Sequence, residues 1–309
     1  MALVIVSETL QLQPWIAALK KAGPEVEILT QQEVKDPGKV EFALAWNHRP
    51  GICKEFPNLK TISSMGAGVD HLMKDPDIPQ HIRIVRIIDP MLSQDMYEFV
   101  LALILSRMKN LRLFQEQQQQ KVWKKKRYLR MGQLRVGIMG TGVIGHHVAT
   151  ALLKVGFNVL GWSRTEGQPS AYRKFFGQEQ MKDFLNRTDI LVCLLPLTPE
   201  TKGILNRGHL TMLPAGAWVI NVGRGGHVVD EELIEVIDSG HLDGASLDVF
   251  QEEPLSPQHP FWSHHKIQMT PHNASLTDPD SVAPQILENY YRTLRGEPLL
   301  NMVNREAGY

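Results

Sequence analysis

Three apolar runs of this chain end in side chains capable of chemistry. Residues 217–222 lead into Gly223-Arg224-Gly225-Gly226, and residues 245–250 lead into Gln251-Glu252-Glu253-Pro254, with Asp248 at the end of the run itself. Residues 266–270 lead into Pro271-His272-Asn273-Ala274-Ser275. Arginine, carboxylate and histidine together suit the reduction of a carbonyl that sits beside a carboxylate. A histidine changes charge near neutral pH and is the natural proton donor. A neighbouring carboxylate keeps the imidazolium charged and orients the ring. An arginine offers a planar fork that pairs with a carboxylate and polarises the adjacent carbonyl.

The hydride for such a reduction needs a carrier, and LRVGIMGTGVIG (residues 134–145) marks a place for one. Gly140, Gly142 and Gly145 form G-x-G-x-x-G after the apolar run 136–139, which reads as a buried strand. A helical pattern follows from Val143 and Ile144 through Ala149, Leu152, Leu153 and Val155, and the run 157–162 returns as the next strand. A tight turn needs Gly140, a pyrophosphate needs bare backbone at Gly142, and helix–strand packing needs no side chain at Gly145. The helix N-terminus adds amide donors and partial positive charge.

The elements that must position these residues alternate between strand and helix. Residues 2–6, 26–29, 42–46, 61–63 and 84–86 read as short strands, with a helix over 15–22. Residues 95–120 read as one long helix whose apolar face runs through Phe99, Leu103, Met108, Leu111 and Phe114, with a glutamine-rich solvated end. Residues 121–130, KVWKKKRYLR, carry six positive charges and read as a solvated arm, in which Trp123 is an aromatic able to cover substrate. Further strands over 189–195, 217–222, 245–250 and 266–270, separated by helical patterns, predict an α/β fold with a doubly wound parallel sheet. A last helix over 282–295 is expected to return to the first domain. The division expected is 1–98, completed by 279–309, and 99–278, with the active cleft between them.

Composition narrows the function classes. The chain has 309 residues, 43% of them hydrophobic, enough for two domains. Lys+Arg and Asp+Glu both number 33, which points away from nucleic acid and anionic membranes as partners. Cys53 and Cys193 have neither metal-ligand nor disulfide spacing, so no metal is expected and a reducing compartment is. The N-terminus lacks a basic leader, and the longest apolar run, 99–105, is too short to span a bilayer. A cytoplasmic location is expected. His264 and His265 precede the last strand and read as surface residues; His146, His147 and His227 read as histidines without chemistry, and Cys193 as core.

Taken together, GTGVIG, LPLTPETKGIL (195–205), INVGRGGHVVDEEL (220–233), LDVFQEEPL (247–255) and TPHNAS (270–275) resemble the D-isomer-specific 2-hydroxyacid dehydrogenase family nearly end to end. The resemblance implies a Rossmann domain beside a smaller flavodoxin-like domain. It implies that Arg224 binds the substrate carboxylate and carbonyl, that His272 is the acid/base and that Glu253 pairs with it. By the same resemblance Asp248 holds the nicotinamide carboxamide. Thr141, Trp162, Leu195, Pro196 and Thr201 would lie against the dinucleotide, as would Val222, Gly223, Arg224, His272 and Ser275. In SMGAGVDHL the Ala67 and Gly68 amides match the loop that receives the substrate carboxylate. The segments ALAWNH, WSRT and REAGY look most like the branch of bacterial glyoxylate/hydroxypyruvate reductases, in which Trp46 would lie beside the substrate. Asn273-Ala274-Ser275 departs from the small apolar residues of many relatives. A homodimer is expected.

The second strand of the glycine unit decides the cofactor. NAD-selective sites carry an acid about twenty residues past the glycines for the ribose 2′-OH. Here the strand ends Trp162-Ser163-Arg164-Thr165, with donors for a 2′-phosphate and no acid before Glu166. NADP(H) is therefore expected to be preferred, with NAD(H) possible. A formate dehydrogenase would place glutamine at Glu253, and a phosphoglycerate-type enzyme would append a regulatory domain after Tyr309. A dinucleotide-sensing, corepressor-like binding protein on the same fold is the rival that turnover separates.

Overall fold

Short runs of Val, Leu, Ile and Ala, flanked by polar turns and covered on both faces, become the strands of two parallel sheets. The computed structural model describes residues 1–308. They divide into two units: Met1–Pro90 with the described residues from Thr277 onward, and Met91–Leu276.

In the first unit β1 (Ala2–Ser7), β2 (Glu27–Thr30), β3 (Val40–Trp46), β4 (Thr61–Ser64) and β5 (Arg83–Val85) pair in parallel in the order β2-β1-β3-β4-β5. Helix α1 (Gln13–Ala22) buries Trp15, Ala18 and Leu19, and the single turn α2 (Asp70–Met73) follows β4. The C-terminal helix, Pro279–Arg295, packs against α1. It begins before the expected residue 282 because Asp278 caps it by accepting from the Asp280 amide, and Pro279 suits the first turn. Its buried face, Val282, Ala283, Ile286, Leu287 and Tyr290, keeps the spacing of one helix stripe. The Tyr290 hydroxyl donates to the Met1 carbonyl at 2.9 Å, tying the chain's late segment to its first strand.

The second unit contains α3 (Pro90–Met108), α4 (Leu111–Gln119), β6 (Arg135–Met139), α5 (Val143–Lys154), β7 (Asn158–Ser163), β8 (Arg173–Phe176) and α6 (Met181–Asn186). It continues with β9 (Ile190–Cys193), α7 (Arg207–Leu210), β10 (Ala217–Asn221), α8 (Asp230–Asp238), β11 (Leu242–Leu247) and β12 (Ile267–Met269). The strand order is β12-β11-β10-β9-β6-β7-β8. The chain runs outward from β6 to β8 and then returns to the other side of β6 at β9. That reversal is the switch point at which open α/β sheets bind ligands.

Several expectations need correction. The long helix over 95–120 is two helices, because Asn110 adopts φ 54° and its side-chain amide donates to the Arg127 carbonyl at 3.1 Å. Its apolar face is Met96, Val100, Leu103, Ile104 and Met108, whereas Leu111 and Phe114 are exposed. Because those α3 residues pack into the second unit's core, the boundary falls at Pro90–Met91 and not at 98–99. Strand β8 was not expected; it is a four-residue edge strand beginning Arg-Lys, too short and too charged to show a pattern. The run 245–250 is shifted: β11 starts at Leu242, and Gly244 lies in it because a Cβ there would stand 2.5 Å from the Trp218 ring. Asp248 is consequently the first residue beyond the strand. No helix among the described residues is long and apolar enough to cross a membrane.

Candidate active site

The turn between β6 and α5 is shaped by missing side chains. Gly140 has φ 104°, and a Cβ there would meet the Leu194 carbonyl at 2.7 Å. A Cβ at Gly145 would stand 1.8 Å from the Gly140 carbonyl oxygen, so strand and helix close up only because none exists. Gly142 is the opposite case: nothing lies within 4 Å of the Cβ position, leaving bare backbone to an incoming group. Behind it, the first-turn amides of Val143, Ile144 and Gly145 carry the positive end of the α5 dipole. This cradle fits a pyrophosphate. The Thr141 methyl fills the space above Gly161, where a Cβ would clash with it.

Next to the cradle, β7 ends at Ser163, and Arg164 and Thr165 are exposed. The Ser163 hydroxyl donates to the Thr165 carbonyl at 2.7 Å, so its proton is committed to the turn. Lys174 supports the same turn by donating to the carbonyls of Glu166 and Gln168. Glu200, after β9, is held below the usual carboxylate range by the Thr198 hydroxyl, its own amide and, more weakly, the charge of Arg164. Leu195, Val222 and Gly223 are buried at the strand ends. Trp162 is buried as well and bonds the Gly177 carbonyl at 3.0 Å. Thr201 donates to the Pro196 carbonyl at 2.7 Å and Ser275 to the Leu92 carbonyl at 2.9 Å. These hydroxyls, expected to face a dinucleotide, spend their protons inside the fold.

Arg224, Glu253 and His272 follow β10, β11 and β12, which are neighbours in the sheet. Gly225 lets the first two loops meet: a Cβ there would sit 1.8 Å from the Phe250 carbonyl carbon. The Phe250 amide donates to Glu253 Oε1 at 3.0 Å, and His272 Nδ1 lies 2.7 Å from Glu253 Oε2. Burial pushes the Glu253 carboxyl up, but the bonds from His272 and Phe250 and the charges of His272 and Arg224 outweigh it. The net direction is below the ordinary 4.5. An ionised carboxylate only accepts, so His272 Nδ1 carries the proton of this bond and Nε2 is its other exchangeable position. The two side chains are 38% and 36% exposed, enough for a ligand to reach them.

Asp248 lies just beyond β11. It is 1% exposed, and it accepts from the Thr270 hydroxyl at 2.6 Å and from the Asn273 and Ala274 amides at 2.9 Å. The His272 amide donates to the Asp248 carbonyl at 2.7 Å. Both carboxylate oxygens are thus engaged in bending the turn that holds His272 at φ 52°.

Trp46, Ala67 and Gly68 belong to the first unit. The Trp46 ring lies over Gly66, where a Cβ would meet it at 2.8 Å, and its centroid is 4.7 Å from that of His71. Ser64 braces the Ala67–Gly68 loop, donating to the Gly68 carbonyl at 2.7 Å and accepting from the Gly66 amide at 3.2 Å. A pair missed from sequence fixes the segment after Trp46: His48 Nε2 bonds Asp75 Oδ2 at 2.9 Å, both side chains being buried. Burial raises the Asp75 carboxyl, but bonds from the Asp77 amide, His48 and the Gly51 amide bring it below its ordinary range. The partners stand 27 residues apart, so no local pattern announces them.

The remaining histidines divide. His265 is exposed, whereas His264 is largely buried and bonds Asp238 at 3.2 Å, which corrects its surface reading. His146 bonds the Tyr172 hydroxyl at 2.9 Å. His227, expected to be inert, is fully buried beside Arg224.

Residues 101–274 match the family model for D-isomer specific 2-hydroxyacid dehydrogenase, NAD binding domain. The glyoxylate/hydroxypyruvate reductase A of Yersinia enterocolitica is 35% identical over 300 residues, 96% of each chain. A D-isomer specific 2-hydroxyacid dehydrogenase of Xanthobacter autotrophicus, solved with NADPH and MES, has a TM-score of 0.95 at 39% identity, covering 100% of this chain and 99% of its own. The NADPH-dependent glyoxylate/hydroxypyruvate reductase of Sinorhizobium meliloti, solved with NADP and sulfate, has a TM-score of 0.93 at 34% identity over 100% of both chains. With the glycine cradle at the sheet's switch point, these likenesses make the chain an NAD(P)-dependent oxidoreductase that belongs to the D-isomer specific 2-hydroxyacid dehydrogenase family.

Proposed function

We propose that this protein reduces small 2-oxo acids, glyoxylate and hydroxypyruvate foremost, to 2-hydroxy acids, preferring NADPH and accepting NADH less well. The observation that carries this reading is the 2.7 Å bond between His272 and Glu253, on a strand end close to that of Arg224. The names of the Yersinia and Sinorhizobium relatives support the substrate, and the NADPH and NADP in two similar structures support the cofactor.

When bound, the dinucleotide supplies a hydride to the substrate's carbonyl carbon. Glu253 engages the Nδ1 proton of His272, so the protonated ring offers Nε2–H to the carbonyl oxygen as negative charge builds there. Arg224 pairs with the substrate carboxylate and polarises the carbonyl beside it. The resemblance of SMGAGVDHL and ALAWNH to the family assigns the amides of Ala67 and Gly68, and Trp46, to substrate binding as well. The test is NADPH consumption by purified protein across a panel of 2-oxo acids. Turnover of about 1 s⁻¹ or faster with glyoxylate or hydroxypyruvate is expected. Tight dinucleotide binding with no turnover of any panel member would make the protein a sensor and overturn the reading.

Cofactor choice has its own test. A 2′-phosphate carries nearly two negative charges, and Arg164 can pair with it and stack near adenine. Arg164→Ala is expected to cost about 1.5–3 kcal/mol in kcat/KM with NADPH, the range for a charge-assisted hydrogen bond, and little with NADH. Ser163→Asp should move preference toward NADH by repelling the phosphate and accepting from the ribose hydroxyl. Equal losses with both cofactors on removing Arg164 would mean that it supports the fold and does not read the phosphate.

We assign a homodimer as the working assembly. Leu111, Phe114, Val122, Trp123 and Leu129 are exposed within one stretch of chain, and Trp123 is 97% exposed. Sedimentation of the purified chain tests this. Cys53 and Cys193 are free, buried thiols, which suits the cytoplasm.

A further inference from the structure

We infer that His227 and Asn221 are positioning residues for Arg224, holding its peptide groups from both sides and so aiming its guanidinium. Both are fully buried. The Arg224 amide donates to His227 Nδ1 at 3.2 Å, and the Arg224 carbonyl accepts from Asn221 Nδ2 at 2.9 Å. Asn221 Oδ1 in turn accepts from the Gly223 amide at 3.2 Å. His227 Nε2 lies 3.3 Å from the Pro196 carbonyl oxygen.

The bonding partners dictate the state of the ring. A peptide N–H can only donate, so Nδ1 is an acceptor; a carbonyl can only accept, so Nε2 carries the hydrogen. His227 is therefore a neutral bridge, accepting from the arginine loop after β10 and donating to the loop after β9. Space is as restricted as polarity. A Cβ on Gly223 would approach the His227 ring to 3.1 Å, so the ring packs directly on the residue before the arginine.

Peptide orientation reaches the guanidinium by a short path. Arg224 Nη1 donates to the Gly223 carbonyl at 2.7 Å, which ties the end of the side chain to the clamped peptide. A planar fork that must meet a carboxylate tolerates little rotation, and small displacements of such groups are costly. The inference rests on the assignment of Arg224 to the substrate carboxylate.

Three variants of His227 separate positioning from mere filling of the core. His227→Asn keeps an acceptor where Nδ1 stands, His227→Gln puts its polar end where Nε2 stands, and His227→Leu has neither. With His227→Leu and His227→Gln, KM for glyoxylate is expected to rise about tenfold or more, while Kd for NADPH and the thermal midpoint change little. His227→Asn should recover most of the lost kcat/KM. The inference is overturned if the Asn variant is as impaired as the Leu variant. It is also overturned if the thermal midpoint falls while KM stays put. Arg224→Ala, measured alongside, locates the fault. An unchanged KM there would sink the carboxylate assignment itself, whereas a damaged Arg224→Ala with a flat His227 series would sink only the clamp.

Discussion

Replacing His272 with alanine is expected to lower kcat for glyoxylate reduction by about a hundredfold or more, the range for loss of a general acid. NADPH binding should be nearly unchanged, because the phosphate cradle at Gly140–Gly145 lies after a different strand. The alkoxide formed at the carbonyl carbon needs a proton, and His272 is the group held beside Glu253 to give one. A variant that retains most of its kcat would remove His272 from the mechanism. Glu253→Gln offers a finer test of the same pair. The wild-type carboxyl lies below 4.5, so the charged partner persists as pH falls through the ordinary carboxylate range and is lost only beneath it. Glutamine removes that charge at every pH, so the ring loses the anion that favours its protonated form. The alkaline fall of reductase activity should then move to lower pH. An unmoved profile would mean that the 2.7 Å contact does not govern proton delivery.

The second large effect is expected at Arg224. Arg224→Lys keeps the positive charge but replaces a planar fork with a single ammonium, so one of two parallel hydrogen bonds to the carboxylate is lost. A fall in kcat/KM of about tenfold to a hundredfold is expected, equivalent to roughly 1.5–3 kcal/mol. Both kcat and KM should change, since the same fork binds the carboxylate and polarises the carbonyl. Dinucleotide Kd serves as the internal control. Lysine serving as well as arginine would reduce Arg224 to a point charge and contradict bidentate pairing.

Much of this molecule is legible before any coordinates are seen, and the legible parts share a cause. Where a backbone must adopt positive φ or admit a close neighbour, only glycine fits, so Gly140 and Gly145 announce their turn by residue type and spacing. A strand buried on both faces must be apolar throughout, which makes β1, β6, β9 and β10 readable as short hydrophobic runs. Strand ends in a parallel sheet share an edge, so Arg224, Glu253 and His272 are brought toward one another by topology as soon as their strands are recognised.

What the sequence could not carry is the identity of partners distant along the chain. A buried polar side chain must be satisfied, but its type does not say by whom. Asp248 does not announce that Thr270, Asn273 and Ala274 donate to its oxygens. His227 resembles any loop histidine until Arg224 and Pro196 are found at its two nitrogens. His48 and Asp75 become a pair only when the segments after β3 and α2 are folded together. The break at Asn110 and the edge strand β8 likewise follow from a bond to Arg127 and from pairing along β7, not from local propensity. Residue types and spacing determined the backbone turns, the buried strands and the chemical set at the sheet edge, because these are demands each position makes on its own residue. Tertiary structure alone decided which polar groups answer one another, because hydrogen bonding between distant positions depends on where the fold puts both ends.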